Sequence, residues 1–157
     1  MSPANAIDML TEDHRQVKAM FQRFQGGETA QRDQLVHDII HSLNTHNRVE
    51  ETVLYPFIRA EVPDGDKLMN EAEQEHQEAK DAIAELSALD ASDPAFEDAF
   101  RRLRESVEHH VEEEEGEVFP KLAQAAGEEG LADLGQKLAQ AKAMSTRPAY
   151  DSDDSPT

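Results

Sequence analysis

Two stretches of the sequence decide the fold: HNRVEETVLYP at residues 46–56 and HVEEEEGEVFP at residues 110–120. In both, glutamates follow the histidine by four and five residues, an aromatic residue follows it by nine, and a proline follows it by ten. Upstream, EDH at residues 12–14 matches QEH at residues 74–76, so the paired histidines are 32 residues apart in the first half and 34 in the second. The chain therefore contains an internal repeat, and each half supplies two histidines and one glutamate at matching positions.

The residues around these motifs have the spacing of amphipathic helices. Apolar residues recur at alternating intervals of three and four, which predicts helices at about residues 2–27, 29–60, 66–89 and 93–127. Short connections predict an all-α, up-down-up-down antiparallel four-helix bundle spanning residues 1–127. A weaker fifth helix is expected at residues 128–144, and the polar residues 145–157 are expected to form a disordered acidic tail.

Each predicted helix has one stripe that faces its neighbours. The stripes of the first and third helices are Ile7, Leu10, His14, Val17, Phe21 and Phe24, and Met69, Ala72, His76, Ala79, Ile83 and Leu86. Those of the second and fourth are Val36, Ile39, Leu43, His46, Glu50, Val53 and Phe57, and Phe96, Phe100, Leu103, Val107, His110 and Glu114, with a slip to Val118. Pro56 and Pro120 predict a kink or an end in their helices.

The stripes are apolar except at one level, where ionisable side chains replace the apolar ones. Those side chains are His14, His46, Glu50, His76, His110 and Glu114. Burying an unpaired carboxylate costs several kcal/mol, and a buried imidazole also needs a partner. A multivalent metal cluster would satisfy all six, because carboxylate oxygen and imidazole nitrogen are both good ligands for first-row metals. The pattern therefore predicts metal ligands in the bundle core.

Composition restricts the other possibilities. The 157 residues include 34 acidic and 15 basic side chains, a net charge of −19, which argues against nucleic acid or an anionic membrane as a partner. The chain has no cysteine, which excludes disulfides, thiolate zinc sites and iron–sulfur clusters. No apolar run reaches the roughly 20 residues of a membrane span, and residues 1–10 lack the features of a secretory signal. The expectation is a cytoplasmic protein.

Other polar residues have simpler interpretations. His37 and His41 are one step off the stripe and are expected on a solvated face. His109 is expected to face outward or to support the site from behind. Packing at a helix end is the preferred role of Tyr55, and a redox or hydrogen-bonding group near the metals is the alternative. A ferritin-like site needs two Glu-x-x-His pairs on separate helices, and only one, ending at His76, is present.

These motifs resemble the hemerythrin-like, HHE cation-binding family over about residues 6–124. The resemblance rests on His14, on His46 with Glu50, Glu51 and Tyr55-Pro56, on Glu75-His76, and on His110 with Glu114, Glu115 and Phe119-Pro120. It implies an up-down four-helix bundle holding two iron ions joined by an oxo or hydroxo bridge. The same ligand types also accept manganese and zinc.

One position departs from the oxygen-carrying members of that family. Those members have a fifth histidine one turn after the third-helix histidine, where this chain has Lys80. The departure argues against reversible oxygen carriage and leaves either a vacancy or another ligand, such as Glu51, Glu115 or water. Lys18 occupies the matching place after His14, and both lysines are either surface groups or guards of the site entrance.

Two functions follow as hypotheses. The first is a non-haem di-iron protein that binds or reacts with dioxygen, hydrogen peroxide or nitric oxide, which makes a peroxide- or nitric-oxide-reactive oxidoreductase possible. Any turnover that consumes electrons would need an external donor. The second is an iron-binding or iron-sensing module without turnover, and a metal-free scaffold is the simplest alternative to both.

Overall fold

The computed structural model describes residues 5–25 and 32–145, and those residues are almost entirely helical, with no strand among them. The helices are α1 (Ala6–Gln25), α2 (Arg32–Val49), α3 (Tyr55–Glu61), α4 (Gly65–Ser87), α5 (Phe96–Glu113) and α6 (Phe119–Ser145). Two five-residue π-helical segments, Glu50–Leu54 and Glu114–Val118, join α2 to α3 and α5 to α6. The chain therefore forms four long rods, because each π segment continues a helix into the next one.

The four rods form the predicted bundle. Helix α4 packs against α5, and α1 packs against both α2 and α6. The fold class predicted from the sequence is confirmed. The expected tail lies outside the described residues from 146 onward, as do the predicted first turn of α1 and the predicted start of the second helix. The division into a bundle of residues 1–127, an accessory helix and a tail stays a prediction.

A tight turn reverses the chain between α3 and α4. Asp64 adopts a left-handed conformation with φ of 63°, and the Gly65 N–H donates to the Val62 carbonyl at 2.9 Å. A Cβ atom on Gly65 would lie 2.1 Å from the carbonyl oxygen of Ile58, which is far inside van der Waals contact. Only glycine therefore lets α4 begin directly against the end of α3.

The sequence predicts a kink or an end at Pro56 and Pro120, and the end does not occur, because the helical rod continues through each proline. Each proline lies at the second position of the α-helix that follows a π segment. In these segments the N–H of Tyr55 donates to the Glu50 carbonyl, and the N–H of Phe119 donates to the Glu114 carbonyl. Proline has no N–H to donate within a helix, and the wider turn just before it accommodates that missing hydrogen bond. The rod therefore continues.

The same π segment corrects the predicted stripe of the second rod. The α-helical spacing placed Val53 and Phe57 on the stripe, but both are only partly buried. The structure instead buries Leu54 and Ile58 completely. A π turn contains one more residue than an α-helical turn, so the inward-facing positions after Glu50 shift by one residue.

Two apolar clusters enclose the polar level of the core. One lies at the end of the bundle with the α3–α4 turn and includes Leu10, Leu54, Ile58, Met69 and Leu122. The other is rich in aromatic rings, with Phe24 stacked on Phe100 at 3.8 Å. The fifth helix of the prediction is the part of α6 beyond Gly127, where φ of 69° kinks the helix. Its Leu131, Leu134 and Leu138 pack into the first cluster. None of the described helices is both long and apolar enough to cross a bilayer.

Candidate metal centre

The six ionisable residues predicted from the stripes converge between the two apolar clusters. All of them are buried, and Glu50 and Glu114 are 0% and 1% exposed. Glu50 lies at the junction of α2 and its π segment, and Glu114 lies at the equivalent junction after α5. Two carboxylates at such depth require compensating charge, since an uncompensated buried charge destabilises the fold by several kcal/mol.

Glu50 faces histidines from both halves of the repeat. Its Oε2 lies 3.0 Å from His46 Nε2, and its Oε1 lies 3.0 Å from His76 Nε2 and 3.5 Å from His110 Nε2. The carboxylate of Glu50 thus connects the two halves of the repeat.

Glu114 has the same role from the opposite side. Its Oε1 lies 3.0 Å from His14 Nε2 and 4.0 Å from His46 Nε2, and its Oε2 lies 3.3 Å from His110 Nε2. All four imidazoles therefore point their Nε2 atoms toward the two carboxylates.

Several of these inward atoms are buried and, although each lies 3.0 Å from a facing atom, they are not aligned for a hydrogen bond. They are His14 Nε2, His46 Nε2, Glu50 Oε2 and Glu114 Oε1. Buried polar atoms in folded proteins nearly always have a partner, and those that lack one need an explanation. Lone pairs on nitrogen and carboxylate oxygen that face a common point suit a cation, so the donor set fits a metal site.

The outer nitrogen of every one of these histidines is held by a carboxylate from another helix. The pairs are His14 Nδ1 with Glu115 at 2.7 Å, His46 Nδ1 with Asp13 at 3.0 Å, His76 Nδ1 with Glu51 at 2.8 Å, and His110 Nδ1 with Glu75 at 2.8 Å. A carboxylate only accepts, so each Nδ1 is the protonated nitrogen and each Nε2 presents its lone pair inward when the ring is neutral. Carboxylates placed in this way orient metal-binding histidines and raise their basicity.

These four carboxylates are the functional residues that sequence reasoning missed or placed differently. Glu51 and Glu115 were candidates for the missing ligand, but both contact the outer edge of an imidazole instead. Asp13 was noted only as part of the repeat, and Glu75 only as part of the repeat and of the family motif. Their positions in the sequence could have identified them, because each of the four directly precedes or follows one of the six inward residues.

Electrostatics show how strongly the carboxylates act on the histidines in the absence of a cation. Burial by itself would lower the pKa of His46, but the Glu50 carboxylate outweighs it and, with Asp13, raises the pKa of His46 to about 10. Burial likewise opposes ionisation of Glu50, yet the facing His46 holds the pKa of Glu50 well below its usual range. A proton on His46 thus balances part of the carboxylate charge, so a metal bound there would displace that proton and bind more weakly as the pH falls.

Tyr55 is part of the site, and the preferred expectation of simple packing is wrong. Its side chain is 1% exposed, and its hydroxyl lies 3.0 Å from His76 Nε2 and 3.3 Å from Glu50 Oε1. Burial and the Glu50 charge raise the pKa of Tyr55 well above its usual range, which keeps the phenol protonated in the metal-free site. The equivalent residue of the second half is Phe119, whose ring stacks on His14 at 6.0 Å and has no polar atom.

The remaining polar residues lie away from the convergence point. His37 and His41 are exposed, as expected. His109 is 62% exposed and lies 3.4 Å from Glu75 and from Glu113, so it faces outward beside a carboxylate that supports the site. Lys80 forms an ion pair with Glu51 at 3.3 Å, whereas Lys18 lines a surface groove beside His14.

Comparison with known proteins identifies the family. Residues 5–122 match the family model of the hemerythrin HHE cation binding domain. The fold is similar to the crystal structure of a hemerythrin HHE cation binding domain-containing protein from Mycobacterium kansasii, with a TM-score of 0.82 and 25% identity, over 91% of this chain and 88% of that one.

Proteins with similar sequences support the same family assignment. An uncharacterized hemerythrin-like protein of Schizosaccharomyces pombe is 27% identical over 86% of this chain and 68% of its own length. A Nostoc protein named DNA nickase is 32% identical over 75% of this chain, which spans only 33% of that protein. The matched domain, the four-helix fold and the buried His/Glu cluster lead to one conclusion: this chain belongs to the hemerythrin HHE cation-binding family.

Proposed function

We propose that the chain holds two iron ions between Glu50 and Glu114 and uses them to bind or react with a small oxidant, namely dioxygen, hydrogen peroxide or nitric oxide. The observation that carries this proposal is the grouping of the donor atoms. One group comprises His14, His46, Glu50 and Glu114, the other comprises Glu50, His76 and His110, and within each group the donor atoms lie within 4.8 Å of one another. Two groups that share a carboxylate suit two metal positions.

Iron bound there would supply one-electron redox chemistry and open coordination positions. The four histidines and two bidentate carboxylates offer eight donor atoms, fewer than two octahedral ions can accept, and sites that react with small molecules need such open positions. Tyr55 adds one more oxygen that faces His76 and Glu50.

The surrounding residues fix the ligands and keep water out. The carboxylates of Asp13, Glu51, Glu75 and Glu115 hold the four rings in one orientation through Nδ1. Side chains such as Val17, Leu43 and Ala79 form a mainly apolar wall beside the histidines. Exclusion of water strengthens the interactions within the site.

The supply of electrons limits which reactions are sustainable. The chain has no cysteine and therefore no thiolate centre through which electrons could arrive. A reaction that consumes electrons must draw them from an external donor. Disproportionation of hydrogen peroxide needs no donor, because two molecules yield two of water and one of dioxygen.

An iron-binding or iron-sensing module without turnover is the second candidate. One contact favours it: the Lys142 ammonium group, near the end of α6, donates to Asp13, which holds His46. Helix α6 thereby connects the site to the C-terminal end of the described chain. A change in metal occupancy could reach that helix through Asp13.

Metal content and peroxide consumption together test the proposal. We expect about two iron ions per purified chain, a near-ultraviolet absorption of a coupled ferric pair, and loss of most of the iron in His110→Ala. His37→Ala is the matched control, since His37 is exposed, and it should retain the iron of the parent. Unchanged iron in His110→Ala would refute the site. Full iron content with no peroxide consumption and no nitric oxide binding would favour the sensing module.

A further inference from the structure

Two surface grooves flank the candidate metal centre, and the internal repeat relates them. The first groove, between α1 and α5, contains His14, Lys18 and Glu115 and has a volume of about 530 Å³. The second groove runs along α2 opposite Lys80, contains Glu51, and has the same volume, about 530 Å³. Lys18 and Glu115 in the first groove occupy the positions of Lys80 and Glu51 in the second.

The linings of the two grooves differ in polarity. The floor of the first groove is formed by Val17, Phe21, Val107 and Val111. The second groove has polar side chains in the corresponding region, among them Asn44, Thr45 and Asn47. In particular, Asn47 takes the place in the repeat that Val111 has in the first groove.

The second groove also contains an ion pair, and His76 is not among the residues that line it. Lys80 contacts Glu51 at 3.3 Å, and Glu51 in turn holds His76. Lys18 forms no such pair with Glu115 in the described parts of the chain, although Glu115 holds His14 in the same way. The first groove therefore reaches its histidine without the bridge that crosses the second.

A small internal cavity continues the first groove toward the site. It has a volume of about 20 Å³, and all four histidines contribute to its wall. It shares Val17, Val107 and Val111 with the first groove but only Asn47 with the second. A cavity of this size holds one water-sized molecule. Val17, Val107 and Val111 line both the groove and the cavity, so they lie between the groove and the point where the imidazoles meet.

We propose that the first groove is the access route to the centre and that it admits a neutral diatomic gas, dioxygen or nitric oxide, past Val107 and Val111. This inference rests on the proposed function. An apolar gas crosses a valine-lined constriction without the desolvation that an ion would suffer there. Val107 and Val111 are both half-buried, so small side-chain movements open the passage.

The rate of nitric oxide association tests the route. Stopped-flow spectroscopy on the iron-loaded, reduced protein would measure this rate for the parent and for variants of matched iron content. Val111→Phe narrows the passage and should slow association at least about tenfold, whereas Val111→Ala widens it and should accelerate association. Asn44→Phe places the same ring at the exposed rim of the second groove and should leave the rate unchanged.

Each outcome bears on one claim. Equal association rates in Val111→Phe, Val111→Ala and the parent, at equal iron content, would overturn the route and leave the proposed function intact. If Val111→Phe fails to retain iron, an unaccelerated Val111→Ala would still overturn the route. A rate lowered by Asn44→Phe alone would move the route to the second groove. Absence of nitric oxide binding by the iron-loaded parent would overturn the proposed interaction with nitric oxide and the route for it.

Discussion

The two halves of the repeat agree in the histidines, buried glutamates and supporting carboxylates of the candidate metal centre, and they differ in the aromatic residue beside it and in its contact with α6. Each half contributes two histidines, one buried glutamate and two carboxylates that hold Nδ1 atoms in the other half or on the neighbouring helix. The first half, however, has Tyr55 where the second has Phe119, and its Asp13 accepts a hydrogen bond from Lys142. The difference teaches that two halves with the same candidate ligands need not offer equivalent positions to a bound cation.

The largest expected effect is the loss of metal on removal of either central carboxylate. Glu50 and Glu114 each approach histidines of both halves, so Glu50→Ala and Glu114→Ala should both lose most of the bound iron. Metal analysis of the purified variants measures this. Glu112→Ala, at an exposed position two residues from Glu114, is the control. Full retention in one of the two variants would show that the halves are not equivalent even at their shared carboxylates.

The carboxylates behind the histidines should have the next largest effect. Glu51→Gln and Glu115→Gln remove the charge that holds His76 and His14, and such changes weaken metal binding by roughly 10- to 100-fold. Competition with a chromophoric chelator gives the affinity. Glu117→Gln, which loses only an exposed contact with Lys121, should bind as the parent does. Unaltered affinity in both test variants would contradict the orienting role.

Replacing Tyr55 by phenylalanine makes the first half resemble the second. Loss of the hydroxyl removes its contacts with His76 and Glu50, which should lower the free energy of unfolding of the metal-free protein by about 1 kcal/mol. Denaturant titration measures the change. The visible spectrum of the iron-loaded Tyr55→Phe protein should also differ from that of the parent. An identical spectrum together with identical stability would mean that the hydroxyl makes no difference between the halves.

The smallest effect is expected at the contact of α6 with the first half. Lys142 is 41% exposed, so its ion pair with Asp13 should contribute less than about 1 kcal/mol to stability. Thermal unfolding of Lys142→Met measures this, with Lys137→Met at an exposed position of the same helix as the control. A larger loss than this, absent from the control, would indicate that α6 stabilises the site directly.

Periodicity was sufficient to predict the four rods and the six inward side chains, because burial of an apolar stripe restricts which residues of a helix face the core. The contacts of Asp13 with His46 and of Glu75 with His110 could not be predicted in the same way. They join different helices, and the rotation of one helix against another depends on packing that no single stripe contains. Tyr55 was misplaced for a related reason, since its direction depends on a π segment that the α-helical interval does not describe.

The π segments determine which chemical groups share the core. In a continuous α-helix, residues five apart point about 140° away from each other, so the side chain that followed Glu50 by five positions would face another side of the rod. Because the N–H of Tyr55 bonds to the carbonyl of Glu50, the two residues are instead stacked on one side, and the phenol oxygen reaches the carboxylate. If residues 50–55 formed a regular α-helix without the wider turn, every donor would remain in the chain but the tyrosine would turn away from the carboxylate. The composition of this site therefore depends on helical phase as much as on residue identity, and a search for such sites by ligand type alone would overlook that dependence.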